Sequence, residues 1–225
     1  MLHFLFLLLV PITTLHATSS PPLTPVIIVP GVVSSILKVK LTNATNLPSG
    51  CRATSNWYTL WISSAQILGR LNCMGSHMTL NYNVTSQCAT SKPGVDIRVA
   101  HYGNTSCCDI LNPQDWWTIP KVTIWQPFSD YLRKNGYQDQ TTLRAAPYDF
   151  RLYGDPCFNV VYFQQLKDMV EKAYQPFHRR VALISHSMGG PILHQFLALQ
   201  SMSWKAYYIE RFIAIAAPFS GAPEG

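Results

Sequence analysis

The residues best equipped for chemistry stand together in the last quarter of the chain, at Ser185-His186-Ser187-Met188-Gly189-Gly190. An apolar run, Val181-Ala182-Leu183-Ile184, leads into them. Pro191 to Gln200, which fits a helix, leads away. A serine held at a tight strand-to-helix turn can act as an acyl nucleophile. Such a turn leaves no room beside the nucleophile, so small residues are needed two before and two after it. Ser185 and Gly189 meet that need, with Ser185 where glycine is usual. The turn lifts the Ser187 hydroxyl clear at the carboxyl end of the sheet. The following helix aims its amino-terminal N–H groups and dipole at the reacting centre. The N–H of Met188 can then donate to the oxyanion of a tetrahedral intermediate. A second donor should come from the loop after an earlier strand. Val26-Ile27-Ile28-Val29 is closed by Pro30-Gly31, which makes the N–H of Val32 the candidate. Losing one such donor costs about 3 kcal/mol of transition-state stabilisation.

The general base is harder to find. His186 adjoins the nucleophile, so its ring cannot readily reach the Ser187 oxygen in line; it reads as a filler packed beside the turn. His194, on the following helix, reads as structural. His77, His101 and His178 have no supporting context. Serine hydrolases of this turn type place an Asp or Glu, then a His, after the nucleophile. Here Glu210 and Glu224 are the only later acids, and His194 the only later histidine. The expectation is that the sequence is the front part of a longer enzyme, lacking the Asp and His of the triad, and that residues 20–225 alone turn over an ester poorly.

Around this site the elements alternate. Pro127 opens a helix that Asn135-Gly136 ends. Thr141 to Ala146 fits a strand. From Asn159 to Phe177, Phe163, Leu166, Val170, Ala173 and Phe177 recur at helical spacing, with Lys167, Asp168, Glu171 and Lys172 largely opposite. Phe212 to Ala216 fits another strand. Strands alternating with helices indicate an α/β fold with a mostly parallel sheet.

Residues 41 to 126 differ. They show little periodicity and hold all three glycosylation sequons, at Asn43, Asn83 and Asn104. They also hold five of the six cysteines (Cys51, Cys73, Cys88, Cys107, Cys108). Cys157 is the sixth. This segment reads as an irregular, cystine-braced insertion. Trp57, Tyr58, Leu60, Trp61, Ile62, Ile67, Leu68 and Leu71 crowd the stretch between Cys51 and Cys73. So much apolar surface suits a cover over an acyl site that also touches a bilayer, or else packed core.

Met1 to Val10 is uninterruptedly apolar, too short to span a bilayer, and stopped by Pro11. With the small residues from Ala17 to Ser20 it reads as a signal peptide over residues 1–19. A secretory route, ending outside the cell or in a lysosomal or vacuolar lumen, makes all six cysteines disulfide candidates. No CxxC pair or zinc-type spacing occurs, so neither a metal nor another cofactor is expected. Hydrophobic residues make up 48% and charged residues 12%. That excludes a disordered chain and a coiled coil. The net charge of +6 is scattered, with no basic run longer than two, so no nucleic-acid partner is expected.

Several strings in order resemble the lecithin:cholesterol acyltransferase family. Val26 to Gly31 is similar to its first core strand and oxyanion loop. Cys51 to Cys73, with Thr59-Leu60-Trp61-Ile62 inside, resembles its disulfide-closed lid loop. Pro93-Gly94-Val95-Asp96-Ile97-Arg98, Ala146-Pro147-Tyr148-Asp149-Phe150-Arg151, Ala182 to Gly189 and Trp204 to Pro218 also match. The likeness covers roughly residues 25 to 220. It implies an α/β-hydrolase fold over residues 20–225, incomplete at the carboxyl end, with a lid loop at 51–73 and a small membrane-binding insertion. It implies a Cys51–Cys73 disulfide, Trp57 and Trp61 as lid or acyl-binding residues, and an acyl-Ser187 intermediate. The acyl donor would be a phospholipid on a membrane or lipoprotein surface, and the acceptor water or a lipid alcohol. Val32 departs from the acidic residue frequent there, Met74-Gly75 from Trp-Ile, and Phe150 from Trp. A noncatalytic lipid-binding paralogue and a general secreted esterase are the competing readings.

Overall fold

The computed structural model describes residues 23–113 and 120–222. The segment read as a signal peptide lies outside them. At the centre is β1 (Val26–Val29), buried along its whole length. A strand apolar at every position needs cover on both faces, as in a parallel sheet. β1 pairs in parallel with β7 (Leu143–Ala145) on one side and with β8 (Val181–His186) on the other. β9 (Ile209–Ile215) then pairs in parallel with β8, giving the order β7-β1-β8-β9.

Side chains alternate across this sheet, and each face has its own core. Ile27, Val29, Val181 and Leu183 pack against α4 (Pro156–Tyr174) and α5 (Gly189–Ala198). Val26, Ile28, Ala182 and Ile184 pack on the other face with Trp125, Cys107, Cys108 and α3 (Gln126–Lys134). The result is a three-layer α/β/α stack. α4 starts where Asp155 accepts a hydrogen bond from the Phe158 N–H and Pro156 takes the first helical position. α3 ends at Asn135, and Gly136 follows with φ +89°, a conformation open to glycine. The short α6 (Met202–Tyr208) precedes β9, with Ser201 accepting from the Trp204 N–H as its cap.

The segment read as irregular is corrected by the structure. It contains β2 (Leu37–Leu41), β3 (Ser55–Trp61), α1 (Ser64–Gly69), α2 (Leu71–Met78), β4 (Leu80–Asn83), β5 (Cys88–Ser91) and β6 (Val95–Val99). β2 is the middle strand of an antiparallel sheet ordered β3-β2-β6, and β4 pairs with β5 in a hairpin. Leu37-Lys38-Val39-Lys40-Leu41 alternates inward and outward, and Val39, Leu41, Leu60, Met74 and Val95 make a separate small core. The stretch between Cys51 and Cys73 is therefore not a bare loop. Most of it is β3 and α1, with β3 hydrogen-bonded to β2.

Cys51 is bonded to Cys73, as the resemblance implied. Cys88 is bonded to Cys157, tying β5 to the first turn of α4. Of the six disulfide candidates, Cys107 and Cys108 are instead free thiols with no exposure. They lie within the core under β1. A second link joins this subdomain to the sheet. Asp149 and Arg151 form a buried ion pair at 2.6 Å, and Arg151 also donates to the Met78 carbonyl and Ser91 Oγ. Among the described residues no helix is long and apolar enough to cross a membrane.

Candidate active site

The elbow is built by two elements whose sequences leave little choice. β8 is buried from Val181 through Ser185 and delivers the chain to the sheet's carboxyl edge. Ser187 then takes φ +51°, a left-handed conformation that side chains rarely adopt. Strain of this kind persists only where the surroundings enforce it. Here the Ser187 N–H donates to the Ile215 carbonyl of β9 and the Ser187 carbonyl accepts from the Gly190 N–H. α5 starts at Gly189, so its free amino-terminal end lies directly at the serine.

The need for small residues is visible in the contacts. A Cβ on Gly189 would stand 2.5 Å from the Val29 carbonyl oxygen and 2.6 Å from that of Pro30. One on Gly190 would stand 2.3 Å from the Ala217 Cβ. Ser185, two before Ser187, is fully buried, with no hydrogen-bond partner for its Oγ. The loop after β1 presses on the same turn: a Cβ on Gly31 would lie 3.1 Å from both Ser187 Cβ and His186 Nδ1. The Pro30-Gly31-Val32 loop and the Ser187-Met188 turn thus come together. Among the described residues, neither the Val32 nor the Met188 N–H is used in a backbone hydrogen bond. Both remain available as donors.

His186 is half-buried. Its ring lies edge-on to Trp125 at 6.4 Å, and its Nδ1 is buried without a partner. His194 is exposed on α5, against the ring of Phe219. Among the described residues nothing hydrogen-bonds Ser187 Oγ. Beside the elbow, Ile124, Trp125, Phe128, His186 and Ile215 wall a mainly apolar pocket of about 320 Å³. Cys107 and Cys108 are both fully buried. Burial, reinforced by the hydrogen bond to Cys107, pushes the Cys108 thiol well above its ordinary value.

The two tryptophans separate. Trp61 joins the subdomain to the loop after β1, donating from Nε1 to the Val33 carbonyl at 2.7 Å, with its ring edge-on to Phe150. Trp57 lies elsewhere, its ring covered by the Arg98 guanidinium at 3.9 Å. Asn43 and Asn83 are exposed, and Asn104 is half-buried as the cap of a 3-10 turn. Sequence reasoning set His77 aside. It is 2% exposed, its Nδ1 lies 3.4 Å from the Tyr58 hydroxyl, and burial, with Lys92 adding, lowers its pKa. Nothing local to Gly75-Ser76-His77-Met78 announces this, because the partner comes from β3.

The profile of the lecithin:cholesterol acyltransferase family matches residues 57–225. The chain is 34% identical over 223 residues to a lysosomal phospholipase A and acyltransferase of Canis lupus familiaris, covering 97% of this chain and 52% of that protein. It is 33% identical over 214 residues to a phosphatidylcholine-sterol acyltransferase of Gallus gallus, covering 94% and 50%. Against the Homo sapiens lysosomal phospholipase A and acyltransferase it is 33% identical over 202 residues, covering 88% and 47%. The chain thus spans about half the length of the curated relatives it matches. The family's fold is the α/β-hydrolase fold, which the parallel sheet, its helices and the elbow display. On its sequence match and its architecture alike, this chain belongs to the lecithin:cholesterol acyltransferase family.

Proposed function

We propose that this chain carries the nucleophile of a lipid acyl-ester hydrolase and O-acyltransferase. The observation that carries the reading is Ser187 at φ +51° between β8 and α5, with the Gly31 loop packed against it. In this scheme Ser187 Oγ attacks the acyl carbonyl of a phospholipid while a histidine base takes its proton. The carbonyl oxygen becomes an oxyanion that accepts from the N–H groups of Val32 and Met188. Collapse expels the lipid alcohol, which receives the proton, and leaves an acyl-serine. Water or a second lipid alcohol then attacks that ester, and the acyl group leaves on the acceptor. Backbone donors serve here whatever side chain follows Gly31, so Val32 in place of an acidic residue is compatible. The apolar pocket beside His186 suits an acyl chain.

The substrate class comes from the relatives, whose names specify phospholipase A, acyltransferase and phosphatidylcholine-sterol acyltransferase activities. A lumenal compartment of the secretory route is supported by the two disulfides, the sequons and the lysosomal designation of several relatives. The test uses the protein as its own cells make it. A fluorophosphonate probe should label Ser187, and phospholipid vesicles should yield free fatty acid and acylated alcohol. Ser187→Ala should abolish labelling and lower turnover by a factor on the order of 10⁵–10⁶. Labelling that persists in the alanine variant overturns the assignment.

A further inference from the structure

The loop after β1 is strained at Val33, which takes φ +53°. Among the described non-glycine residues with positive φ, Val33 is the only β-branched one. For such a side chain the left-handed region is a true outlier, because Cβ crowds the backbone. Strain of this kind relaxes unless neighbours hold it. Side-chain packing does not hold it here, since Val32 and Val33 are both exposed.

Hydrogen bonds hold it instead. Two are internal to the loop: the Ser34 N–H donates to the Gly31 carbonyl at 3.3 Å, and Ser34 Oγ donates to the Val32 carbonyl at 3.1 Å. Internal bonds travel with the loop and fix nothing to the rest of the fold. The third is the Trp61 Nε1 donation to the Val33 carbonyl, the shortest of the three at 2.7 Å. Among the described residues it is the only hydrogen bond that reaches residues 31–34 from outside them.

Its donor is itself fixed. Trp61 ends β3, where it pairs with Leu37 of β2, and its ring rests edge-on against Phe150. Both ends of the loop are fixed too. Val29 is paired in the central sheet, and Ser35 Oγ accepts from the Tyr148 N–H. With its ends held, the loop can release Val33 from the left-handed region only if the neighbouring peptide planes turn with it. Those planes include the one that carries the Val32 N–H. They also adjoin Gly31, where a Cβ would lie 3.1 Å from Ser187 Cβ. A donor to an oxyanion works only when aimed at the place where the charge develops.

We propose that Trp61 is a positioning residue for acyl transfer: its indole N–H keeps Val33 left-handed and thereby keeps the Val32 N–H aimed at the oxyanion. This rests on the reading of Ser187 as nucleophile and Val32 as donor. It gives Trp61 a part other than contact with the acyl chain. The test uses the protein as its own cells make it, with p-nitrophenyl butanoate, a soluble ester, so that binding to a lipid surface is not read. Trp61→Phe keeps an aromatic ring against Phe150 and removes the donor. It should lower kcat by about 10–100-fold, below the about 10²–10³ that loss of a whole donor can cost, and leave KM nearly unchanged. Val33→Gly in the Trp61→Phe background should restore most of the lost kcat, because glycine takes positive φ without the Cβ penalty. A ring that only packs would not be rescued by a change at Val33. Circular dichroism and an intact Cys51–Cys73 cross-link establish that each variant is folded. Unchanged kcat in Trp61→Phe overturns the proposal. So does a rise in KM alone, which would make Trp61 an acyl-contact residue, and so does a fall in kcat that Val33→Gly does not relieve. Ser187→Ala in the same assay separates the two levels. Turnover that survives it overturns the nucleophile reading itself, whereas abolished turnover together with any of those three results overturns the role of Trp61 only.

Discussion

Gly189→Ala is the sharpest perturbation of the elbow, because it adds one methyl group where the structure has no space. The new Cβ would meet two backbone oxygens, of Val29 and Pro30, at 2.5 and 2.6 Å. Ordinary van der Waals contact begins near 3.4 Å, so α5 and the end of β1 must part by about 0.8–0.9 Å. Neither yields easily. β1 is buried and hydrogen-bonded to strands on both sides, and α5 buries Ile192, Leu193 and Phe196 against the sheet. Overpacking of this kind costs about 1–3 kcal/mol. Alanine returns up to ~1 kcal/mol of helix propensity. From the middle of that cost range, about 2 kcal/mol, the net loss is about 1–2 kcal/mol, or a fall in Tm of roughly 2–8 °C for a domain of this size. Gly75→Ala in α2 is the matched control, since its Cβ would meet nothing within 4 Å. It should raise Tm by about 1–4 °C through propensity alone. Displacing Ser187 by the same shift should also slow acyl transfer by up to ~10²-fold. Thermal unfolding followed by circular dichroism reads the stability terms. If Gly189→Ala melts at or above the parent temperature, the account of why the elbow needs a small residue is wrong.

Arg151→Met should cost about 3–5 kcal/mol, because it strands the buried carboxylate of Asp149; the double variant with Asp149→Asn should recover part of this, and denaturant titration compares them. His77 gives a pH dependence with a definite sign. Burial lowers its folded pKa below the ordinary 6.5, so the unfolded chain binds the proton more readily. Its contribution is complete above about pH 6.5 and is lost as pH falls through the folded value. His77→Gln should flatten the fall in Tm between about pH 7 and about pH 5, and an unchanged slope would refute this. Non-reducing peptide mapping should recover only the 51–73 and 88–157 cross-links; chain entropy assigns them about 3 and about 4 kcal/mol, and Cys107 and Cys108 should alkylate only after denaturation. Residues 20–225 expressed alone should turn over phospholipid vesicles poorly; robust turnover lost on Ser187→Ala would show that a base already lies within this chain, with His186 and His194 the first suspects.

The elbow was legible because it is local. A β-branched and apolar run, a turn of small residues and a helix all lie within Val181 to Gln200, and each signal agrees with its neighbours. The same holds for α3, α4 and the sheet strands, whose bounds shift by a few residues. The subdomain was not legible, for different reasons in different places. Leu37 to Leu41 alternates strictly and could have been recognised as β2. β3 could not, since Ser55 to Trp61 mixes half-buried residues on both faces and has no period of two. α1 and α2 are short and lack an apolar stripe, and Gly75 lies inside α2. The burial of His77 and the Asp149–Arg151 link depend on partners distant in sequence, which no local pattern encodes. The free state of Cys107 and Cys108 is likewise a matter of where the chain places them, not of their number.

The position of β1 has a consequence for how this protein is made. Its pairing with β8 joins Val26 to Ala182, 156 residues further along the chain. At a synthesis rate of 5–20 residues per second, β1 waits about 8–30 s for that neighbour to emerge. Until β7 emerges, 117 residues after Val26, a strand apolar on both faces, Val26-Ile27-Ile28-Val29, has neither sheet edge satisfied; from then until β8 emerges only one edge can be. The β2, β3 and β6 sheet, by contrast, closes within residues 37–99 and can receive its Cys51–Cys73 bond while the rest of the chain is still being added. The nascent protein should therefore assemble from the subdomain outward. The segment that holds β1 and the loop packed on Ser187 would then be the one that most needs chaperone protection.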